Sequence, residues 1–249
     1  MNLQDIFDDL TYGELSQLYM GGDESTGGIR EADKPRIISH TKRGLTALYK
    51  RFRLKENEVT INLQSTVYTY RLHSDFAVSN TDSTEAVKYL DDAVDAFTDR
   101  VLKVEEVFDI TDPDNILDLL LNKRNDPCSI RTPKATVLQI PEILIDKDGT
   151  EPVATTLRVV YRANHPKIDP ILGQYVSFTE ELELPEAFNQ ALLYFIASNI
   201  MNPVGMANEF HAGNSYYAKY ENECMRLEAD NYQIDNIGYE TKFQDRGFV

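Results

Sequence analysis

Residues 184–232 read LPEAFNQALLYFIASNIMNPVGMANEFHAGNSYYAKYENECMRLEADNY, the longest regular hydrophobic pattern in the chain. Pro185 suits a first helical turn, where a missing N–H costs nothing, and Glu186 beside it favours the positive end of the helix dipole. Phe188, Ala191, Leu192, Phe195, Ile196 and Ile200 then recur at three- and four-residue steps, which predicts a helix with one apolar face. Asn202-Pro203 and Gly205 break it. A second series runs through Met206, Phe210, Gly213, Tyr217, Tyr220, Cys224 and Leu227, alternating steps of four and three as in a narrow helical seam. The stretch is thus expected to be a helical hairpin. Its seam either packs two helices in one core or meets another subunit.

A chain of 249 residues with 42% hydrophobic content can bury a substantial core without disulfides. Its formal charge of −16 argues against a whole surface that binds nucleic acid or anionic membrane. No run approaches the roughly 20 apolar residues of a membrane span, and MNLQDIFDDL has the wrong charge for a signal peptide. Synthesis in a cytoplasm is expected. Cys128 and Cys224 have no His or Cys neighbours at ligand spacing, so both read as ordinary buried thiols.

Charge is segregated. Over residues 34–55, Lys34, Arg36, Lys42, Arg43, Lys50, Arg51, Arg53 and Lys55 occur without one acidic residue, carrying +8 and leaving −24 on the rest. The same segment has an apolar face through Ile37, Ile38, Leu45, Leu48, Tyr49 and Phe52, so a core-docked amphipathic helix is expected, with Arg36, Arg43 and Lys50 on its outer face. Such a face can pair with acidic groups of its own chain, touch nucleic acid, or meet an acidic partner subunit.

Elsewhere, Leu3, Ile6, Phe7 and Leu10 share one helical face, and Leu15, Leu18 and Tyr19 the next, with Thr11 and Glu14 as a capping box. Residues 21–28, GGDESTGG, read as loop. Residues 58–63 and 66–72 alternate with period two, as a hairpin or neighbouring strands. Ser83 or Thr84 is expected to cap a helix lined by Val87, Leu90, Val94 and Phe97, whose outer Asp91, Asp92, Asp95 and Asp99 form a solvated face rather than a metal site. Residues 101–110 read as a strand. Asp112-Pro113 is expected to open a short helix with Ile116, Leu117, Leu119, Leu120 and Leu121. Residues 136–140, 143–145 and 153–161 read as strands, Asp146-Lys147-Asp148-Gly149 as a hairpin turn without the further acceptors of a calcium loop, and 175–184 as a last strand.

The expected fold is α+β. Residues 1–72 give N-terminal helices and the start of a β region; 73–133 form a mixed insertion and 134–184 a β-rich region. The hairpin at 185–232 completes an α-helical bundle, and residues 233–249 form a C-terminal docking arm, since Ile234, Ile237, Tyr239, Phe243, Phe248 and Val249 are too apolar for a solvated tail.

Catalytic signatures are missing. His40, His73, His165 and His211 fall in separate segments, there is no nucleophile elbow, phosphate loop or H-E-x-x-H, and Glu105-Glu106 and Glu180-Glu181 put adjacent carboxylates on opposite strand faces. Neither an enzyme nor any cofactor or metal site is expected.

Three stretches, VYTYRLHSDF at 67–76, LRVVYRANHPKI at 157–168 and ELELPEAFNQALLYFIASNIM at 181–201, together resemble the head-to-tail connector (adaptor, or neck) proteins of tailed bacteriophages. The shared pattern is a strand ending in Tyr-Arg-Ala, an acidic strand, and Leu-Pro-Glu opening a helix. The resemblance implies a helical bundle with an inserted β-rich region and a C-terminal extension. It implies a structural virion protein at the neck: a homo-oligomeric ring, usually of twelve, that joins the portal protein to tail or nozzle proteins and lines the channel for DNA ejection. The extension docks into the portal in that family, so the arm would be the portal contact. An acidic lining would repel phosphates and let genomic DNA pass without sequence specificity, and no membrane partner is implied. A DNA-binding or packaging-associated protein acting through residues 34–55 is the alternative.

Overall fold

A computed structural model describes residues 1–12, 29, 33–65, 67–93, 96–123, 126–145, 154–168, 170–171, 174–175, 178, 181–200 and 207–230, with the side chains of the last helix from 214 onward. In chain order the elements are α1 (Leu3–Tyr12), α2 (Lys34–Arg51), β1 (Glu56–Asn62), β2 (Thr69–Arg71), β3 (Leu90–Asp91), β4 (Val101–Asp109), β5 (Leu117–Leu119), β6 (Arg131–Lys134), β7 (Val137–Gln139), α3 (Glu142–Ile145), β8 (Thr156–Ala163), β9 (Pro170–Ile171), β10 (Gln174–Tyr175), α4 (Asn189–Ile200) and α5 (Ala207–Ala229). The class is α+β, with antiparallel sheets. Two compact units divide the chain: Met1–Leu54 with His165–Val249, and Lys55–Asn164.

In the first unit, α1 buries Leu3, Ile6, Phe7 and Leu10, the face its sequence spacing marks. Helix α2 starts with a proline in its first turn and buries Ile37, Ile38, Leu45, Leu48 and Tyr49, with Phe52 buried just beyond it. It packs on α4, which packs on α5. Gly44 makes the first crossing close, since a Cβ there would lie 2.6 Å from Leu192 Cδ1 and 2.9 Å from Phe195 Cδ1. Pro185 precedes a 3-10 turn, Glu186–Phe188, before α4 begins. Phe188 lies edge-on to Phe52, centroids 4.9 Å apart. Of the strand expected at 175–184, the described residues give Tyr175 paired with Pro170 and an isolated antiparallel bridge of Glu181 to Asn2, beside which the Leu182 N–H donates to the Met1 carbonyl at 2.9 Å. Leu182 and Leu184 are buried.

The second unit is built on a five-stranded sheet ordered β3-β1-β8-β4-β5, beside a three-stranded sheet ordered β2-β7-β6. Its core includes Val59, Ile61, Tyr70, Leu90, Val107, Leu138, Leu157 and Val159. The first and last strands pair over their full length, Glu56 opposite Arg162 through to Asn62 opposite Thr156. The chain therefore enters and leaves this unit at one place.

Several expected elements differ. β1 and β2 form no hairpin: β1 lies between β3 and β8, and β2 pairs with β7. The helix expected from residue 83 is not formed. Its Leu90 and Asp91 make strand β3 instead, and the Asp92 carboxylate accepts the backbone N–H groups of Ser79 and Phe97 and the Ser79 hydroxyl, holding the chain in a loop. The Leu-rich 116–121 stretch contributes β5, paired to β4, in place of a helix. Residues 143–145 belong to a single helical turn, α3, and β8 returns against β1 and β4. The turn expected at 146–149 and the loop at 21–28 lie outside the described residues. The insertion drawn at 73–133 cuts through this sheet, because β3, β4 and β5 from that stretch pair with β1 and β8 from outside it.

Strand β4 carries two register shifts, the second between Val104 and Glu106, so Glu105 is the extra residue of a bulge. Alternation is interrupted there. The Glu105 carboxylate meets Arg162, 2.7 Å away and 1% exposed, and also Lys103 at 3.0 Å.

Candidate interaction surfaces

Helix α2 exposes Arg36, Arg43 and Lys50, the outer face anticipated from their spacing. Part of its positive charge is used within the first unit. Lys34 Nζ sits 5.0 Å from the Phe178 ring centroid and 5.7 Å from that of Phe7. Arg36 Nη2 donates to the Ile200 carbonyl, 3.3 Å away, at the negative end of α4. Arg51 joins α2 to α5, with Nη1 2.6 Å from Glu221 and Nε 2.6 Å from Glu228. The bond to Glu228 raises the Arg51 guanidinium above its ordinary range, and Arg51 in turn holds the Glu221 carboxyl below its own.

Lys42 and Arg43 are different. Among the described residues, neither side chain has an ion-pair or hydrogen-bond partner. His40 lies near Arg36 and Arg43, and neither of its ring nitrogens finds a hydrogen bond. Burial, then the charges of Arg36 and Arg43, keep this imidazole below the usual histidine range. Exposed cationic groups on α2 thus include Arg43, which has no ion-pair or hydrogen-bond partner among the described residues.

The seam residues separate. Tyr220 and Leu227 are buried with Cys224, and the Tyr220 ring meets Phe195 of α4 edge-on at 5.3 Å. Tyr217 is 50% exposed, its ring centroid 5.9 Å from that of Tyr220. Met206 and the side chain of Phe210 lie outside the described residues, as do arm residues Ile234, Ile237, Tyr239, Phe243, Phe248 and Val249. Beside the seam, Lys219 Nζ lies 5.1 Å from the Tyr216 ring centroid and 5.5 Å from that of Tyr194, a cluster the seam pattern does not reveal.

The described histidines do not converge. His73 is exposed, with Nδ1 3.1 Å from Asp75 and Nε2 3.9 Å from Asp99. His165 is buried; its Nδ1 lies 2.7 Å from the Pro166 carbonyl while Nε2 accepts the Glu183 N–H at 3.1 Å. The side chain of His211 is not among those described. No group of three or more His, Cys, Asp or Glu suited to a metal occurs among the described residues. Cys128, expected to be buried, is exposed, whereas burial pushes the Cys224 thiol up to about 11.

In the second unit a cleft of about 870 Å³ is lined by residues of both signs, including Lys55, Glu58, Asp91 and Arg100. Its described lining contains no His, Cys or Ser. The acidic face expected at 91–99 is also redistributed. Asp92 is buried: burial pushes its carboxyl up, but hydrogen bonds from Phe97 and Ser79 outweigh this and hold it below the usual range. Asp99 accepts from the Ser74 N–H and hydroxyl.

The sheet edge holds the surface that sequence periodicity misplaces. Ile116, Leu117 and Leu120 are 47, 50 and 42% exposed at β5, the terminal strand of the five-stranded sheet. Among the described residues no helix is long and apolar enough to cross a membrane. Neither a protein-family model nor a curated protein matches the chain.

Proposed function

We propose that this protein is a head-to-tail connector of a tailed bacteriophage, a structural virion component forming a ring beneath the portal and lining the DNA exit channel. The observation that carries the reading is the division of the chain. Helical segments from both ends belong to one unit, and residues 55–164 form a separate β-rich unit interrupting them. That is the order of parts implied by the resemblance, whose second stretch covers β8 and whose third covers α4. On this reading the terminal helices form the bundle and α2 presents cations to an acidic partner subunit. Ile234, Ile237, Tyr239, Phe243, Phe248 and Val249 dock into the portal, and tail or nozzle proteins bind below. The chemistry is contact and charge rather than catalysis, and the acidic body lets DNA slide past.

Electron cryomicroscopy of the native particle tests this. The chain is expected as a ring between portal and tail; density anywhere else in the virion, or none, rejects the reading. A neutral or basic lumen in such a ring would reject only the sliding role.

A second reading is favoured by one observation, that Lys42 and Arg43 have no ion-pair or hydrogen-bond partner among the described residues. Under it α2 binds duplex DNA during packaging. A gel shift that weakens steeply with salt supports this alternative, and no shift at low salt removes it.

A further inference from the structure

The exposed edge of the five-stranded sheet asks for cover. Edge strands of stable monomers are blunted by lysine, proline or a covering segment. Residues 116–121, ILDLLL, contain neither lysine nor proline; residues 129–130 bond the far end at Leu120 and Leu121, and Ile116, Leu117 and Leu120 are each still more than two-fifths exposed. Around them Asp112, Asp114 and Asp118 are exposed, and residues 112–118 hold no basic residue. Leu117 and Asp118 lie on opposite faces of the strand, so the edge as a whole, rather than one face of it, is apolar and anionic together. Its complement must be cationic, with aliphatic surface.

Two places on the same chain compete for it. The opposite sheet edge also exposes apolar groups, Val78 and Val87, but the exposed carboxylates of Asp75, Asp82 and Glu85 accompany them, so like charges would meet. The outer stripe of α2 has the opposite sign, and Arg43 on it, like the half-buried Lys42 beside it, has no ion-pair or hydrogen-bond partner among the described residues. Long alkyl stems on Lys and Arg can lie over leucine and isoleucine while their charged ends reach the flanking aspartates.

We propose that the β5 edge of one copy of this chain binds the basic α2 stripe of a second copy. This contact rests on the ring reading above and supplies its lateral joint. It joins two different surfaces, so each copy keeps one free surface of each kind and the contact propagates from copy to copy, as closure into a ring requires. A symmetric pairing of two β5 strands would instead bring their aspartates together and stop at a dimer.

The test uses the full chain and two double variants, Leu117→Asp/Leu120→Asp on the edge and Lys42→Glu/Arg43→Glu on the helix, followed by sedimentation velocity over a concentration series. All these positions are solvent-facing or half-buried at the surface, and unchanged circular dichroism and melting confirm that each variant folds. Wild type is expected to form species larger than a dimer, and each variant alone to associate at least about tenfold more weakly. Mixed in equal amounts, the two variants are expected to form a one-to-one complex that grows no further, because the intact edge of the helix variant meets the intact helix of the edge variant. A mixture that stays monomeric, or either variant associating like wild type, overturns the proposed contact while leaving the ring reading in place. Wild type that remains monomeric both alone and in portal-bearing particles overturns both.

Discussion

Gly44 and His40 sit within two turns of each other on α2 and constrain it in different ways. At Gly44 an added methyl gains up to about 1 kcal/mol of helix propensity, but it must displace Leu192 and Phe195 from a closely packed crossing. Overpacking of this kind costs about 1–3 kcal/mol. Gly44→Ala is therefore expected to lower the urea midpoint modestly, and Gly44→Val substantially; an unchanged midpoint for Gly44→Val would contradict the close approach. At His40 the folded chain favours the neutral ring, so the contribution to stability is full above the ordinary histidine range near pH 6.5 and is lost on acidification below it. Melting temperature is expected to fall between about pH 7 and 5, and less so in His40→Leu. Identical slopes in both proteins would rule the effect out. The position of Gly44 in a helix was legible in the sequence, but its purpose was not, because the residues it admits lie almost 150 positions later.

Strand β4 shows where reading by period stops working. Its length and place follow from alternation, yet the bulge at Glu105 depends on the partner strand β8 and cannot be seen in β4 alone. Glu105 therefore reads as one half of an uninformative acidic pair, when it is the carboxylate facing a fully buried arginine. Removing the carboxylate takes one partner from this buried charge, at a cost of up to about 3–5 kcal/mol. Glu105→Ala is expected to destabilise the second unit by that order, read as a lowered denaturation midpoint, whereas Lys103→Ala should change little because its ammonium is exposed. The amphipathic helices α1 and α2 were legible for a related reason: their faces are written within each segment. The presence of α4 was legible too, but not its burial on all sides, since it packs against both α2 and α5 and exposes no residue. The short strands β3 and β5 were not, since leucines at close spacing satisfy a helical template equally well and only long-range pairing decides between them. The same error concealed the apolar sheet edge.

The chain as a whole is two units with different dependence on sequence order. Because β1 pairs with β8 from end to end and the Ala163 N–H donates to the Lys55 carbonyl at 3.0 Å, residues 55–164 close on themselves. Expressed alone, this segment is expected to give a β-rich spectrum and one cooperative melting transition, and a chain without a transition would show that its core needs the helical unit. The helical unit has the reverse character. α1 and α2 are made early, whereas α4, against which α2 packs, and α5, to which Arg51 is paired, are made last. During synthesis at about 5–20 residues per second, α2 therefore waits on the order of ten seconds for its partner. Through that interval Ile37, Leu45 and Leu48 lack the surface that covers them in the finished fold, while the segment that follows can already close into its sheet. The eight cations on residues 34–55 are in place before α5 brings Glu221 and Glu228, so Arg51 waits for both of the carboxylates it pairs with in the finished fold. Order of synthesis thus leaves the helical unit, unlike the β-rich one, to be completed by its last helix.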